Sequence, residues 1–291
     1  MAEWDGNGLP SAAAARMARF EAGGVRTSLL DVAAMVSTSN ARLPPAGEVM
    51  GCMVQRIGWL GYAGCGYYGG YGGRSWSPPT VTSGQHRGLA GYRPYVDALY
   101  RGYDTAIERL LTEARAMGAD GVIGVRLTVT QLGEDYREFV ALGSAVRSPG
   151  RVHPPQPFVT DLPGTDVAKL LHAGWVPVAI AIGVSVAVRH TDSRTAAQMT
   201  SQAGNTEVSG YTQLVRRVRA DARAQFAERA ARSGADGVLV STMDLRTWDQ
   251  VAGGCRDRVA ESTVIGTAIA RFGTGRPPAG RALAVLPLHR A

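Results

Sequence analysis

Glu113-Ala-Arg-Ala-Met-Gly118-Ala119-Asp120-Gly121-Val122 is answered, 116 residues on, by Arg229-Ala-Ala-Arg-Ser-Gly234-Ala235-Asp236-Gly237-Val238. The same offset brings Tyr95 to Tyr211, Leu99 to Val215, Ala106 to Ala222 and Leu110 to Phe226. These positions recur at spacings of three, four or seven, the apolar stripe of an amphipathic helix. The stripe shifts slightly in the second copy, where Arg219 faces Tyr103. A fold built from a repeat has to be read as a repeat before anything else.

Working outward, each helix should stop at the glycine that opens Gly-Ala-Asp-Gly, because Gly118 and Gly234 can take the left-handed conformation at a helix end. A strand follows at once. Ile123, Val125, Leu127 and Val129 alternate with Gly124, Arg126, Thr128 and Thr130, giving one apolar face. The second copy keeps Leu239, Met243 and Leu245 on that face, with Ser241 in place of Val125. A hairpin then leads to a strand ending in Gly143-Ser-Ala-Val146 or Gly266-Thr-Ala-Ile269. That offset is larger, so the second hairpin is longer, through 248–261. Upstream of each long helix the sequence predicts another strand, 48–60 and 176–188, after a short helical segment, 31–36 and 166–171.

The expected fold class is therefore α+β: two tandem β-α-β-β units, each with a small antiparallel-containing sheet and one long helix. A three-stranded sheet under one helix leaves edges and a face uncovered. Such units should close against other copies and assemble as a ring. The expected division is an N-terminal extension 1–26, a first domain 27–148, a Pro-rich linker 149–159, a second domain 160–272 and a tail 273–291. The linker's prolines, at 149, 154, 155 and 157, favour an extended spacer.

The alanine-rich helix running into Gly118-Ala119-Asp120-Gly121-Val122, the terminal Gly143-Ser144-Ala145-Val146 and their second-copy counterparts resemble the YbjQ-like family of heavy-metal-binding domains. The resemblance covers roughly residues 27–148 and 160–272. Its motifs are turn and packing motifs. It implies a small β-α-β-β unit that assembles into a pentameric ring, and its family name implies a metal.

Composition narrows the function classes. Hydrophobic residues make up 45% of the 291 and charged residues 19%, which excludes wholesale disorder. The net charge of +7 would raise nucleic acid as a partner. Lys169 is the only lysine, however, so the basicity is carried by arginine in an Ala- and Gly-rich chain. The arginines of the second long helix, Arg216, Arg217, Arg219, Arg223, Arg229 and Arg232, are interleaved with Asp221 and Glu228, as on an ordinary solvated face. The apolar run 175–188 is shorter than the roughly 20 residues of a membrane-spanning helix and reads as a buried strand. No basic n-region and apolar h-region opens the chain, and three widely spaced cysteines do not form a disulfide framework. A cytoplasmic setting is expected.

Two candidate sites stand out. Cys52 and Cys65 flank the end of the first strand and His86 follows in the loop; thiolate and imidazole together suit Zn(II) or Cu(I). No Cys-x-x-Cys or His-x-His pair supports them, and each cysteine also reads as an ordinary core or loop residue. Tyr62, Tyr67, Tyr68 and Tyr71 lie in a glycine-rich stretch whose Gly64-Cys-Gly66-Tyr-Tyr-Gly69 matches a dinucleotide fingerprint in letters only. More Gly and Tyr follow it instead of a helix N-terminus. Its expected role is an aromatic contact surface for a protein partner or small ligand. Asp120 and Asp236 read as turn aspartates. No nucleophile elbow, metalloprotease helix or Walker loop is present. The leading expectation is a non-enzymatic, ring-forming scaffold or binding protein of unknown cofactor. The alternatives are a heavy-metal-binding protein and an enzyme with an active site between protomers.

Overall fold

Gly118 and Gly234 adopt φ of 65° and 75°, each turning a long helix directly into a strand. The computed structural model in which they do so describes residues 8–23, 27–58, 81–82, 92–200, 202, 204–252 and 255–272. In chain order the elements are α1 (Ser11–Glu21), α2 (Val32–Asn40), β1 (Pro45–Arg56), β2 (Val81–Thr82), α3 (Tyr92–Ala116), β3 (Gly121–Gln131) and β4 (Tyr136–Val146). The second half supplies β5 (Phe158–Val159), α4 (Gly164–His172), β6 (Trp175–His190), α5 (Ser193–Gln198), α6 (Ser209–Arg232), β7 (Gly237–Ala252) and β8 (Cys255–Arg271). The two tandem units predicted from the repeat are present.

The first sheet runs β1-β4-β3-β5 and the second β2-β6-β8-β7. All pairings are antiparallel except β3 with β5, which is parallel. Each sheet therefore gains a short fourth strand from the other half of the chain. The longer second hairpin is strand rather than loop: β7 and β8 have 16 and 17 residues against 11 each in β3 and β4.

Each long helix crosses its sheet at a glycine. A Cβ on Gly51 would run into the Ala106 carbonyl and the Leu110 nitrogen; one on Gly183 would meet Ala222 and Phe226 in the same way. These pairs fix the repeat register at 132 for the first strands and 116 for the helices. The same 132 relates α2 to α4, so the N-cap Asp31, which accepts from Ala34 N at 2.7 Å, corresponds to Pro163. The sequence match of Asp31 with Asp166 is thus three residues out of register. Strand geometry, not residue type, sets the equivalence.

The halves stack in layers. Ala181 and Phe226 belong to the core between the second sheet and α6. Ser185 crosses that layer to donate to Asp221 at 2.7 Å. The opposite face of the same strand, Ile182, Val184, Val186 and Val188, joins a larger core with Tyr95, Leu99, Ala106 and Leu110 of α3. The order is first sheet, α3, second sheet, α6, so the helix of one unit serves two sheets.

Candidate functional site

The joint between the two units holds a buried pair of opposite charges. Arg137 on β4 donates to both carboxylate oxygens of Glu261 on β8, at 3.1 and 3.2 Å, and to the Tyr95 hydroxyl at 2.5 Å. Tyr95 in turn donates to Glu261 at 2.5 Å. The side chains of Arg137 and Glu261 are 8% and 6% exposed. Burial, reinforced by the Glu261 charge, pushes the Tyr95 hydroxyl well above its ordinary range. Burial opposes the charge of Arg137, but Glu261 and Tyr95 outweigh it and hold the guanidinium protonated. Nearby Tyr103 is pushed up to about 12, mainly by burial and then by Glu261. A tyrosine so shifted does not ionise near neutral pH, and the three groups satisfy one another. The arrangement locks two surfaces together; it does not supply an acid or a base.

Further ties surround it. The Tyr100 hydroxyl accepts from Val184 N at 2.9 Å, Arg229 lies 4.0 Å over its ring, and Arg229 forks onto Asp104 at 2.9 and 3.0 Å. Thr160 and Thr267 hydroxyls meet at 2.7 Å. Buried charge pairs add little net stability but make the wrong alignment costly, which suits a joint of one fixed geometry.

A cleft of about 830 Å³ opens where α3 ends, between α1 and the start of the interdomain segment, and is lined by Met17, Arg115, Arg147 and His153 among others. Two of its polar groups are already engaged, Arg115 by Glu108 at 2.8 Å and His153 by Asp120 at 2.7 Å. Asp120 also accepts from Ser148 N at 2.6 Å, and Asp236 from Arg271 N at 2.9 Å. The repeated aspartates therefore tie the helix-to-strand turn to the end of the neighbouring strand. They are structural, although each reaches across to another strand rather than bonding within its own turn.

Of the predicted metal ligands, Cys52 stands exposed on β1, on the face of the first sheet turned away from α3. Cys65 and His86, and Tyr62, Tyr67, Tyr68 and Tyr71, lie outside the described residues. Among the described residues no group of three or more His, Cys, Asp or Glu is placed to hold a metal ion. Among them also, no helix is long and apolar enough to cross a membrane. Of Tyr95, Arg137 and Glu261 the sequence marked only Tyr95, as part of the helix stripe, and neither of the other two. The available signal for Glu261 was a glutamate near the start of the largely uncharged strand 259–269.

Comparison with known proteins gives a consistent picture. The family described as putative heavy-metal-binding, the YbjQ-like family, matches residues 85–148 and 175–271. The chain is 35% identical over 187 residues to an encapsulin nanocompartment protein of Mycobacterium tuberculosis, covering 62% of this chain and 69% of that one. It is 41% identical over 63 residues to a UPF0145 protein of Halorubrum lacusprofundi, 21% of this chain and 61% of the relative. A UPF0145 protein of Psychromonas ingrahamii is 35% identical over 78 residues, 23% of this chain and 74% of its own length.

Proposed function

The chain belongs to the YbjQ-like family, and from that premise we propose that it is a non-enzymatic, ring-forming homo-oligomer acting as a scaffold or binding protein. One observation carries the reading: one unit docks on the other through a buried, ion-paired joint, while among the described residues the corresponding faces at the two ends of the chain stay open. Ile182 and Val186 in the covered sheet are 1% and 0% exposed, whereas their counterparts Met50 and Val54 are 37% and 53% exposed. Surfaces of that kind on a folded chain mark association. Five chains, ten units, is the ring size that the family resemblance suggests.

The Mycobacterium tuberculosis relative is named for an encapsulin nanocompartment, so a structural role beside such a shell, in the cytoplasm, is the setting we assign. The tyrosines Tyr62, Tyr67, Tyr68 and Tyr71 are the proposed contact surface for a protein partner or small ligand. The second reading, heavy-metal binding through Cys52, Cys65 and His86, is favoured by the family description alone. Native mass spectrometry of the protein purified from its own host tests both. The expected result is a closed oligomer without a stoichiometric transition metal. A stoichiometric metal would replace the scaffold reading with the metal one, and a monomer at micromolar concentration would reject the ring.

A further inference from the structure

Inside the chain, the junction between the units has three parts. First, residues 158–162 lie along the outer edge of β3: Phe158 N donates to Asp120 O at 3.1 Å and Thr160 N to Val122 O at 3.0 Å. Second, α4 packs on α2, with Gly164 against Ala34 and Thr38. Val167 and Ala168 of α4 are 0% and 6% exposed there. Third, α3 covers the outer face of the second sheet.

Each half of that junction recurs, unjoined, at one end of the molecule. Residues 27–30 are built like 159–162. Leu30 N donates to Ser28 Oγ at 3.3 Å as Leu162 N does to Thr160 Oγ1 at 3.1 Å. Ser28 faces Ser144 of its own sheet at 3.5 Å, as Thr160 faces Thr267. On α2, Val32, Met35 and Val36 occupy the places of Gly164, Val167 and Ala168 but are 79%, 41% and 54% exposed. At the other end, Asp236-Gly237-Val238 repeats Asp120-Gly121-Val122. Val122 and Ile123 are fully buried, whereas Val238 and Leu239 are 40% and 37% exposed. Among the described residues no strand pairs with the outer edge of β7. Beside that edge a notch of about 310 Å³ lies between Leu162, Leu170 and Leu239.

We infer that a second copy of this chain fills this end, repeating the internal junction between chains. This deepens the oligomer reading and rests on it. Residues 27–30 of one copy add to the Gly237–Val238 edge of another, Ser28 N donating to Val238 O, while Val32, Met35 and Val36 enter the leucine notch. The outer face of the first sheet then receives α6 of the neighbouring copy. At the matched positions α6 presents Arg216 and Arg219 where α3 presents Tyr100 and Tyr103. The receiving face carries Glu48 and Glu138, the latter at the position of Glu261, together with Arg126 and with Arg56, which pairs with Asp135 at 3.4 Å. Pairing stays confined to the start of β7, because Val240 replaces Gly124, whose φ of 61° shapes the internal junction. The two docking surfaces differ, so the contact is head-to-tail and generates a ring or a filament rather than a closed pair.

Head-to-tail contacts allow a complementation test on the full chain. Variant one carries Val32→Asp and Met35→Asp; variant two carries Val238→Lys and Leu239→Lys. All four positions are exposed, and circular dichroism checks that both variants fold. Analytical ultracentrifugation should find higher oligomers for the unmodified chain and monomers for each variant. An equimolar mixture should give a one-to-one, two-chain species, since one competent surface of each kind remains. Assembly of either variant at the size of the unmodified chain would overturn the junction but leave the oligomer standing. Monomeric variants whose mixture stays monomeric would also overturn it, and a monomeric unmodified chain would remove both readings. A second measurement does not depend on the charged variants. Thr27→Cys with Val238→Cys, which the junction pairs as it pairs Val159 with Val122, should oxidise to a ladder of linked chains. Absence of a ladder from an assembled protein would overturn the junction.

Discussion

The outer face of the second sheet and the outer face of the first are the same surface in two circumstances. Ile182, Val184, Val186 and Val188 stand under α3, and at the equivalent positions Met50, Cys52, Val54 and Arg56 stand uncovered. Under α3 the strand carries buried β-branched residues. On the uncovered first sheet the equivalent strand carries a mixed face with a charge at its end. Position for position, the difference separates what a unit needs in order to fold from what it needs in order to meet a fixed neighbour.

The largest test of that comparison is at the paired glutamates. Glu261→Ala leaves Arg137 charged and buried, and should cost about 3–5 kcal/mol in urea unfolding. Glu138→Ala, at the equivalent but uncovered position, should stay within about 0.5 kcal/mol. Equal costs would mean that Glu138 is already engaged and that the two faces are not in different circumstances. Replacing the buried pair together, Arg137→Met with Glu261→Leu, should recover most of the loss.

Next in size come the helix-crossing glycines, where the units ought to behave alike. Gly51→Ala and Gly183→Ala each push a methyl group into helix backbone, with an expected cost at the top of about 1–3 kcal/mol for both. Thermal melting of the two variants should agree. A tolerant Gly51 would show that the first sheet has room to move from its helix and is not the same rigid unit.

The smallest effect sharpens the register. Asp31→Ala removes the N-cap of α2 and should cost about 1 kcal/mol, whereas Pro163→Ala at the matching position removes no side-chain cap and should cost less. A comparable loss from both would place the caps elsewhere and reopen the three-residue offset between sequence and structure.

The tyrosines add a pH signature to the joint. Burial pushes Tyr103 up to about 12 in the folded chain, from the 10.0 of an ordinary tyrosine. Between those values the unfolded chain gives up a proton that the folded chain keeps, so stability should fall as pH rises through that window. Phe at position 103 should flatten the fall.

Periodicity and glycine spacing were enough to reveal the repeat, because both are local. An amphipathic stripe must bury its apolar side, and a left-handed helix end favours glycine, wherever the helix goes. The paired turn aspartates and the alternating strand were legible for the same reason. The chain alone also placed Cys52 on a strand but could not say which face it occupied or whether ligands stood near it. That it stands exposed where its counterpart Val184 is buried depends on the way two sheets share one helix. Only the tertiary structure decided that α3 covers the second sheet, that 158–162 crosses back to β3, and that Arg137 meets Glu261 across 124 positions of sequence. Those pairings depend on how one unit sits on the other. No residue pattern within a single unit encodes that, since each unit carries both the surface that gives and the surface that receives.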